Sequence, residues 1–201
     1  MNFEVLDNGL QVMLFMAFSL LSLLYGLRTQ NRKFWILSGC YACFSMGTLY
    51  YLLYLVIMGK VPQVFYVSEI AWLASYLFLL ALCLMLTQKK GMRVQTPFVL
   101  AAAVEFIIVM GWQIFGPSYI FSAVFGVVTS YIFYCSLYMY FREKRKIGLF
   151  LALLIVLQLT LYIVSVFMSD YTHFNLYFAV DFSLMFVMCS LFVLLKKEEE
   201  K

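Results

Sequence analysis

The chain has 201 residues, of which 65% are hydrophobic and only 12% charged, and its formal net charge is +4. A soluble domain is roughly half apolar and a quarter charged, so this chain has too little polar surface to face water on every side. Thirteen of the fourteen Lys and Arg residues fall in the stretches 28–33, 89–93, 142–146 and 196–201, between apolar segments; no basic face exists outside them, which excludes a nucleic-acid partner.

Residues 1–8 carry Glu4 and Asp7 and no basic residue, so they do not read as a cleaved leader. They are expected outside the membrane, with Asn8 capping the first helix. The apolar segments then follow in order: 9–27, 34–58, 64–86, 95–115, 117–141, 147–168 and 174–195. Each is close to the roughly 20 residues that span a hydrocarbon core as a helix. None alternates apolar and polar residues as barrel strands do. In lipid the remaining solution is helical, because backbone groups find no water there. The expected fold is therefore all-α: a single polytopic membrane domain of seven transmembrane helices. Short loops rich in Lys and Arg mark the cytoplasmic side, which puts the amino terminus outside and the carboxyl terminus inside.

Along these helices the punctuation is sparse. Gly59–Gln63 and Gly116-Pro117 read as turns, with Pro117 in the first turn of the fifth helix. Trp35, Tyr66, Trp112 and Tyr177 sit near span ends, where amphipathic rings favour the interface. Gly39, Cys43 and Gly47 form a small-residue stripe, read first as a helix-packing surface. All five cysteines lie inside apolar segments, so no disulfide framework is expected.

Thr48-Leu49-Tyr50 recurs as Thr160-Leu161-Tyr162, an offset of 160 − 48 = 112, and Glu69 meets Asp181 at the same offset. Helices 1–3 map close to helices 5–7, which leaves the fourth as a linker. This is a three-plus-one-plus-three parallel repeat about an axis along the membrane normal. The tripeptide alone is common in membrane helices; the matched spacing and acids carry the reading.

Three carboxylates lie within the spans: Glu69, Glu105 and Asp181. No Lys, Arg or His lies there to pair with them, and a buried charge costs roughly 2.5–3.5 kcal/mol on insertion scales, so they should face the bundle interior. Glu69 and Asp181 fall about 8 and 10 Å below the outer ends of their helices. Tyr50 and Tyr162 lie at similar depth, and the repeat predicts that Tyr50 donates to Glu69 and Tyr162 to Asp181. Glu105 and Gln158 sit near the bilayer middle. Glu69, Trp72, Tyr76 and Cys83 share one helix face, as do Ser130, Tyr134 and Tyr138, and Gln158, Tyr162 and Ser165. The expected ligand or proton site thus comprises Glu69, Asp181, Tyr50, Tyr162, Trp72, Tyr76, Glu105 and Gln158. Such stripes equally suit interhelical hydrogen bonds.

No helix interior carries the lysine that retinal needs, and no ligand set suits haem or zinc. His173, the single histidine, reads as a solvated loop residue beside Asp170. No GxSxG, HExxH or glycine-rich phosphate loop occurs, so neither an enzyme nor a cofactor is expected.

Residues 33–86 carry Lys33 and Trp35 at the start of a helix, Gly47 further along, then Gly59-x-x-Pro62, then Glu69, Trp72 and Tyr76. Over these two helices the chain resembles the multi-helix membrane sensor regions that precede GGDEF or histidine-kinase domains in bacterial signalling proteins. That likeness implies a sensor of an external or membrane-borne signal in a bacterial cytoplasmic membrane. No output domain follows Leu195, so signalling would need a separate partner or a longer protein. The repeat plan and the outside amino terminus resemble the PQ-loop and SWEET transporters. Pro62-Gln63 is the single PQ pair, and it stands at the start of the third helix rather than within the first helix of each repeat.

Three functions follow as expectations. The first is a receptor-like or accessory membrane subunit that binds a small or lipidic ligand in an outward-facing pocket and acts through a protein partner or a second copy. The second is a small proton-coupled transporter using Glu69 and Asp181. The third is a structural subunit of a membrane complex, in contact with lipid and other chains.

Overall fold

The computed structural model describes residues 3–59, 66–87, 94–112, 119–168 and 170–200. They form seven helices: α1 (Phe3–Thr29), α2 (Arg32–Met58), α3 (Tyr66–Thr87), α4 (Thr96–Trp112), α5 (Tyr119–Phe141), α6 (Lys146–Phe167) and α7 (Leu176–Glu199). No strand occurs among the described residues. All except α4 are long and apolar enough to cross a membrane. The chain is an all-α, multi-pass membrane protein. The described part of α4 has 17 residues, about 25 Å at 1.5 Å per residue. The Gly116-Pro117 turn, Pro62-Gln63 and the basic stretch 89–93 lie outside the described residues.

Short connections force consecutive helices to lie antiparallel. α1 packs on α2, α2 on α3, α5 on α6 and α6 on α7; α3 then meets α5 and α7 meets α1. Six helices thereby close into a ring, with α4 outside it against α5. Exchanging α1, α2 and α3 with α5, α6 and α7 maps every ring contact onto another, which is the connectivity the repeat requires. The two tight turns agree in detail. Gln30 (φ 53°) and Lys144 (φ 57°) are the two non-glycine residues with positive φ among the described residues. Each is followed directly by the N-cap of the next helix, Asn31 or Arg145. The turns match at an offset of 114, two residues from the offset in the helices.

Two boundaries differ from the sequence expectation. α1 begins at Phe3, not near residue 9, so Asn8 is no cap; it sits inside the helix and its Nδ2 donates to the Glu4 carbonyl at 2.8 Å. The helix reaches this far because Glu4, Asp7 and Gln11, spaced by three and four, all turn inward and are buried. α7 runs past Leu195 to Glu199, where its last turn finds partners in two loops. Its start is fixed by Asn175, whose Oδ1 accepts from the Tyr177 and Phe178 amides.

The half of the bundle nearer the basic loops is a dense apolar core. Phe34, Leu37, Leu79, Leu82, Ile132, Met139, Ile147, Leu151, Leu191 and Leu195 are all fully buried. Gly148 lets α5 and α6 approach at backbone distance, since a Cβ there would lie 2.7 Å from the Ser136 carbonyl and the Tyr140 nitrogen. The Gly39–Cys43–Gly47 stripe does pack a helix, but through aromatic knobs of α3: Phe78 fills the space at Gly39 and Trp72 the space at Gly47. Paired hydroxyls tie α1 to α2, where Ser19 and Ser38 each donate to the other's carbonyl at 3.0 and 2.9 Å. The Tyr41 hydroxyl crosses the bundle to the Met188 carbonyl at 2.7 Å.

Candidate functional site: a polar layer at the amino-terminal end of the bundle

The polar interior gathers at the end where α1, α3 and α7 begin and α2 ends. At its centre Gln11 of α1 donates through Nε2 to Asp7 Oδ2 at 3.3 Å and to Asp181 Oδ2 on α7. The two carboxyls thus share the Gln11 amide as their common donor. Asp7 is 1% exposed and Asp181 3%, so water does not screen the pair. The second Asp7 oxygen, Oδ1, is buried without a hydrogen-bond partner.

From this centre the network runs sideways. Thr48 Oγ1 on α2 donates to Gln11 Oε1 at 3.5 Å, and the Trp72 indole N–H on α3 donates to Thr48 Oγ1 at 3.4 Å. One turn above, the Tyr51 hydroxyl donates to Glu4 Oε1 at 2.6 Å. Deeper in the bundle the Tyr76 hydroxyl on α3 donates to Gln158 Oε1 on α6, and Gln158 also bonds the Tyr162 hydroxyl. Phe125 of α5 meets both tyrosines edge-on, with centroids 5.2 Å from Tyr76 and 6.0 Å from Tyr162.

Glu69 belongs to this layer and has no such support. It is 6% exposed and makes no hydrogen bond or ion pair among the described residues. Its carboxylate lies within electrostatic reach of the Tyr162 hydroxyl. The repeat explains the difference between the two acids. At the offset of 112, the positions matching Gln11 and Asp7 are Ala123 and Tyr119, so α5 offers Glu69 neither an amide nor a second carboxyl.

The two expected tyrosine–acid pairs are not formed. Tyr50 packs on Tyr54, with ring centroids 6.4 Å apart, and does not bond Glu69. One residue along a helix turns the side chain by about 100°, and on α2 it is Thr48 and Tyr51 that face inward. Asp181 takes its bonds from α1 instead of Tyr162. Glu105 stands apart from the layer. It accepts from Thr129 at 2.7 Å and from Ser130, both on α5, and so fastens α4 to the ring. Trp72, Tyr76, Tyr162, Gln158, Glu69 and Asp181 do come together.

The sequence expectation leaves out Glu4 and Asp7 because it puts residues 1–8 in an aqueous tail, and Gln11 because it weighs carboxylates before amides in the first span. Their spacing of three and four, continuous with the face of the first span, was the available signal. His173 is solvated, as expected: its Nδ1 lies 3.4 Å from Asp170, with both side chains exposed. Among the described residues no group of three or more His, Cys, Asp or Glu could hold a metal ion.

At the opposite end the last turn of α7 is gripped from both sides. Glu199 pairs with Lys33 and accepts from Asn31 Nδ2 at 2.7 Å, in the α1–α2 turn. Glu198 accepts from Arg145 Nη2 at 2.6 Å and Nε at 3.1 Å, in the α5–α6 turn. α7 thus carries a buried acid near one end and two paired acids at the other. Compared with protein-family models, curated proteins and solved structures, the chain matches none.

Proposed function

We propose that this chain is a receptor-like subunit of a bacterial cytoplasmic membrane. On this reading the polar layer faces outward, receives a small or lipidic ligand, and reports its state to a cytoplasmic protein partner or a second copy. The observation that carries the reading is α7, whose Asp181 joins the Asp7–Gln11 network while Glu198 and Glu199 join the two basic turns. A helix is stiff along its axis, so a shift where Asp181 sits is felt where Lys33 and Arg145 hold it. The outside position of the layer rests on the excess of Lys and Arg in the loops at the other end. The closely packed apolar core between layer and basic turns favours a receptor over a carrier, which needs a path to both sides.

The test is a distance measurement between nitroxides at Arg28 and Lys197, with the native cysteines replaced, in reconstituted vesicles. Asp181→Asn, or acidifying the outer side, should change the distance distribution. Vesicles containing the protein should show no proton flux above protein-free vesicles. An unchanged distribution under both perturbations overturns the reading. Proton flux that disappears in Asp181→Asn favours the second reading, a proton-coupled transporter, which draws on the two-fold ring of six helices.

A further inference from the structure

We infer that the ligand is a substituted ammonium ion and that Glu69 is its anchoring carboxylate. This rests on the receptor reading and adds the chemical class. Four acids of the helices, Glu4, Asp7, Glu69 and Asp181, lie at this end of the bundle, and three of them are engaged by neighbours: Glu4 by Tyr51, and Asp7 and Asp181 by Gln11. Glu69 is 6% exposed, and no hydrogen-bond donor reaches it among the described residues. Leaving a carboxyl unpaired in a low-dielectric interior is costly unless something else supplies the partner. No Lys, Arg or His of α1–α3 or α5–α7 lies at this depth to supply it.

The surroundings select among cations. Tyr162 lies within electrostatic reach of the carboxylate and meets Phe125 edge-on, as Tyr76 does, and the Trp72 indole is one turn along α3 from Glu69. Aromatic faces attract a diffuse organic cation, worth about 0.5–2 kcal/mol per ring depending on desolvation. A divalent metal would instead need several oxygen ligands, and no such group exists among the described residues. An alkylammonium or quaternary ammonium matches one carboxylate and several rings. It has two sources, a free amine or the headgroup of a membrane lipid.

The experiment uses the full chain in nanodiscs of phosphatidylglycerol and measures its thermal midpoint against phenethylammonium chloride, phenethyl alcohol and phenylacetate. Phenethylammonium should raise the midpoint saturably, and the alcohol and the anion should not. Glu69→Gln should weaken the effect about tenfold or more, while Glu105→Gln should leave it intact. Because the contrast between ammonium and alcohol is read on the wild type, the test survives a Glu69→Gln variant that folds poorly. Nanodiscs of phosphatidylcholine separate the sources: loss of the phenethylammonium shift there assigns the site to a lipid headgroup, and an equal shift assigns it to a free amine. An alcohol or anion that shifts the midpoint as strongly overturns the ammonium class and leaves the receptor reading standing. Full binding of phenethylammonium in Glu69→Gln overturns the role of Glu69. A Glu69-dependent shift in a protein whose nitroxide distances never respond would overturn the receptor reading alone.

Discussion

Asp7 and Asp181, from the first and last helices, share a single amide: Gln11 Nε2 donates to an Oδ2 of each. This contact joins α1 to α7 where the ring closes, and it ties the chain's two ends together inside the membrane. An Asn at either position keeps a side-chain oxygen that accepts from Gln11, so Asp7→Asn and Asp181→Asn should each change stability by less than about 1 kcal/mol. Asp181→Ala instead leaves Gln11 with only its longer bond to Asp7 and should cost about 1–3 kcal/mol. The double Ala variant should cost less than the sum of the two single ones, with a coupling of about 1 kcal/mol or more. Equilibrium unfolding in mild detergent gives all these values; strictly additive losses would show that the two carboxyls are not coupled through Gln11.

The helices and their order were legible because an apolar run of 20 residues has few alternatives in lipid. The repeat was legible from Glu69 and Asp181, since an acid in a span is rare enough for two at one offset to stand out. The partners of those acids were not. Asp7 stands in a polar stretch that looks aqueous by composition, Gln11 is a lone amide at the start of an apolar span, and only the closing of α7 on α1 turns both inward. The expected tyrosine partners failed for a related reason. Sequence spacing gives depth in the membrane, but a one-residue error in facing, as between Tyr50 and Tyr51, rotates a side chain away from the site.

Glu105 is the link between α4 and the ring, and its role there is mechanical. Glu105→Ala removes the acceptor for Thr129 and Ser130 and should cost about 1–3 kcal/mol, the range for leaving a buried donor unsatisfied. Glu105→Gln keeps one acceptor and should cost less. Protease sensitivity of α4 should rise in the Ala variant before the rest of the bundle unfolds. If α6 and α7 open together with α4, the helix is not the separable element that its place outside the ring implies.

Two glycines make opposite predictions. Gly148→Ala puts a methyl 2.7 Å from backbone atoms of α5, so the helices must part, at a cost of about 1–3 kcal/mol. Gly9 lies within α1 with nothing within 4 Å of an added Cβ. Gly9→Ala should therefore gain up to about 1 kcal/mol from helix propensity. Thermal midpoints of the two variants should fall on opposite sides of the wild type.

The loop before α7 carries its own pH dependence. The Thr172 hydroxyl and amide, together with His173, hold the Asp170 carboxyl below its ordinary value of 3.8. A carboxyl depressed in the folded state stabilises it above the unfolded value and loses that contribution as pH falls through the lower, folded one. The loop should keep its geometry down to about pH 3.8 and loosen only below it. The Thr172 amide resonance reports this directly, and a midpoint above 3.8 would contradict the hydrogen bonds.

The two grips on α7 differ in kind, although their side chains are similarly exposed: 23% and 21% for Arg145 and Glu198, 18% and 28% for Lys33 and Glu199. What separates them is geometry. Arg145 meets Glu198 through two nitrogens, reaches the Leu86 carbonyl at 3.0 Å and lies 3.2 Å from Glu143, so one guanidinium joins α3, the α5–α6 turn and α7. Lys33 offers Glu199 a single ammonium. A lysine at position 145 cannot reproduce the planar fork. Arg145→Lys should therefore cost about 1–3 kcal/mol, whereas Lys33→Ala should stay within about 1 kcal/mol and shrink further in high salt. Unfolding in low and high salt separates the two. Equal, salt-sensitive losses would mean that Arg145 acts through its charge alone, and that α7 is tethered no more firmly to the α5–α6 turn than to the α1–α2 turn.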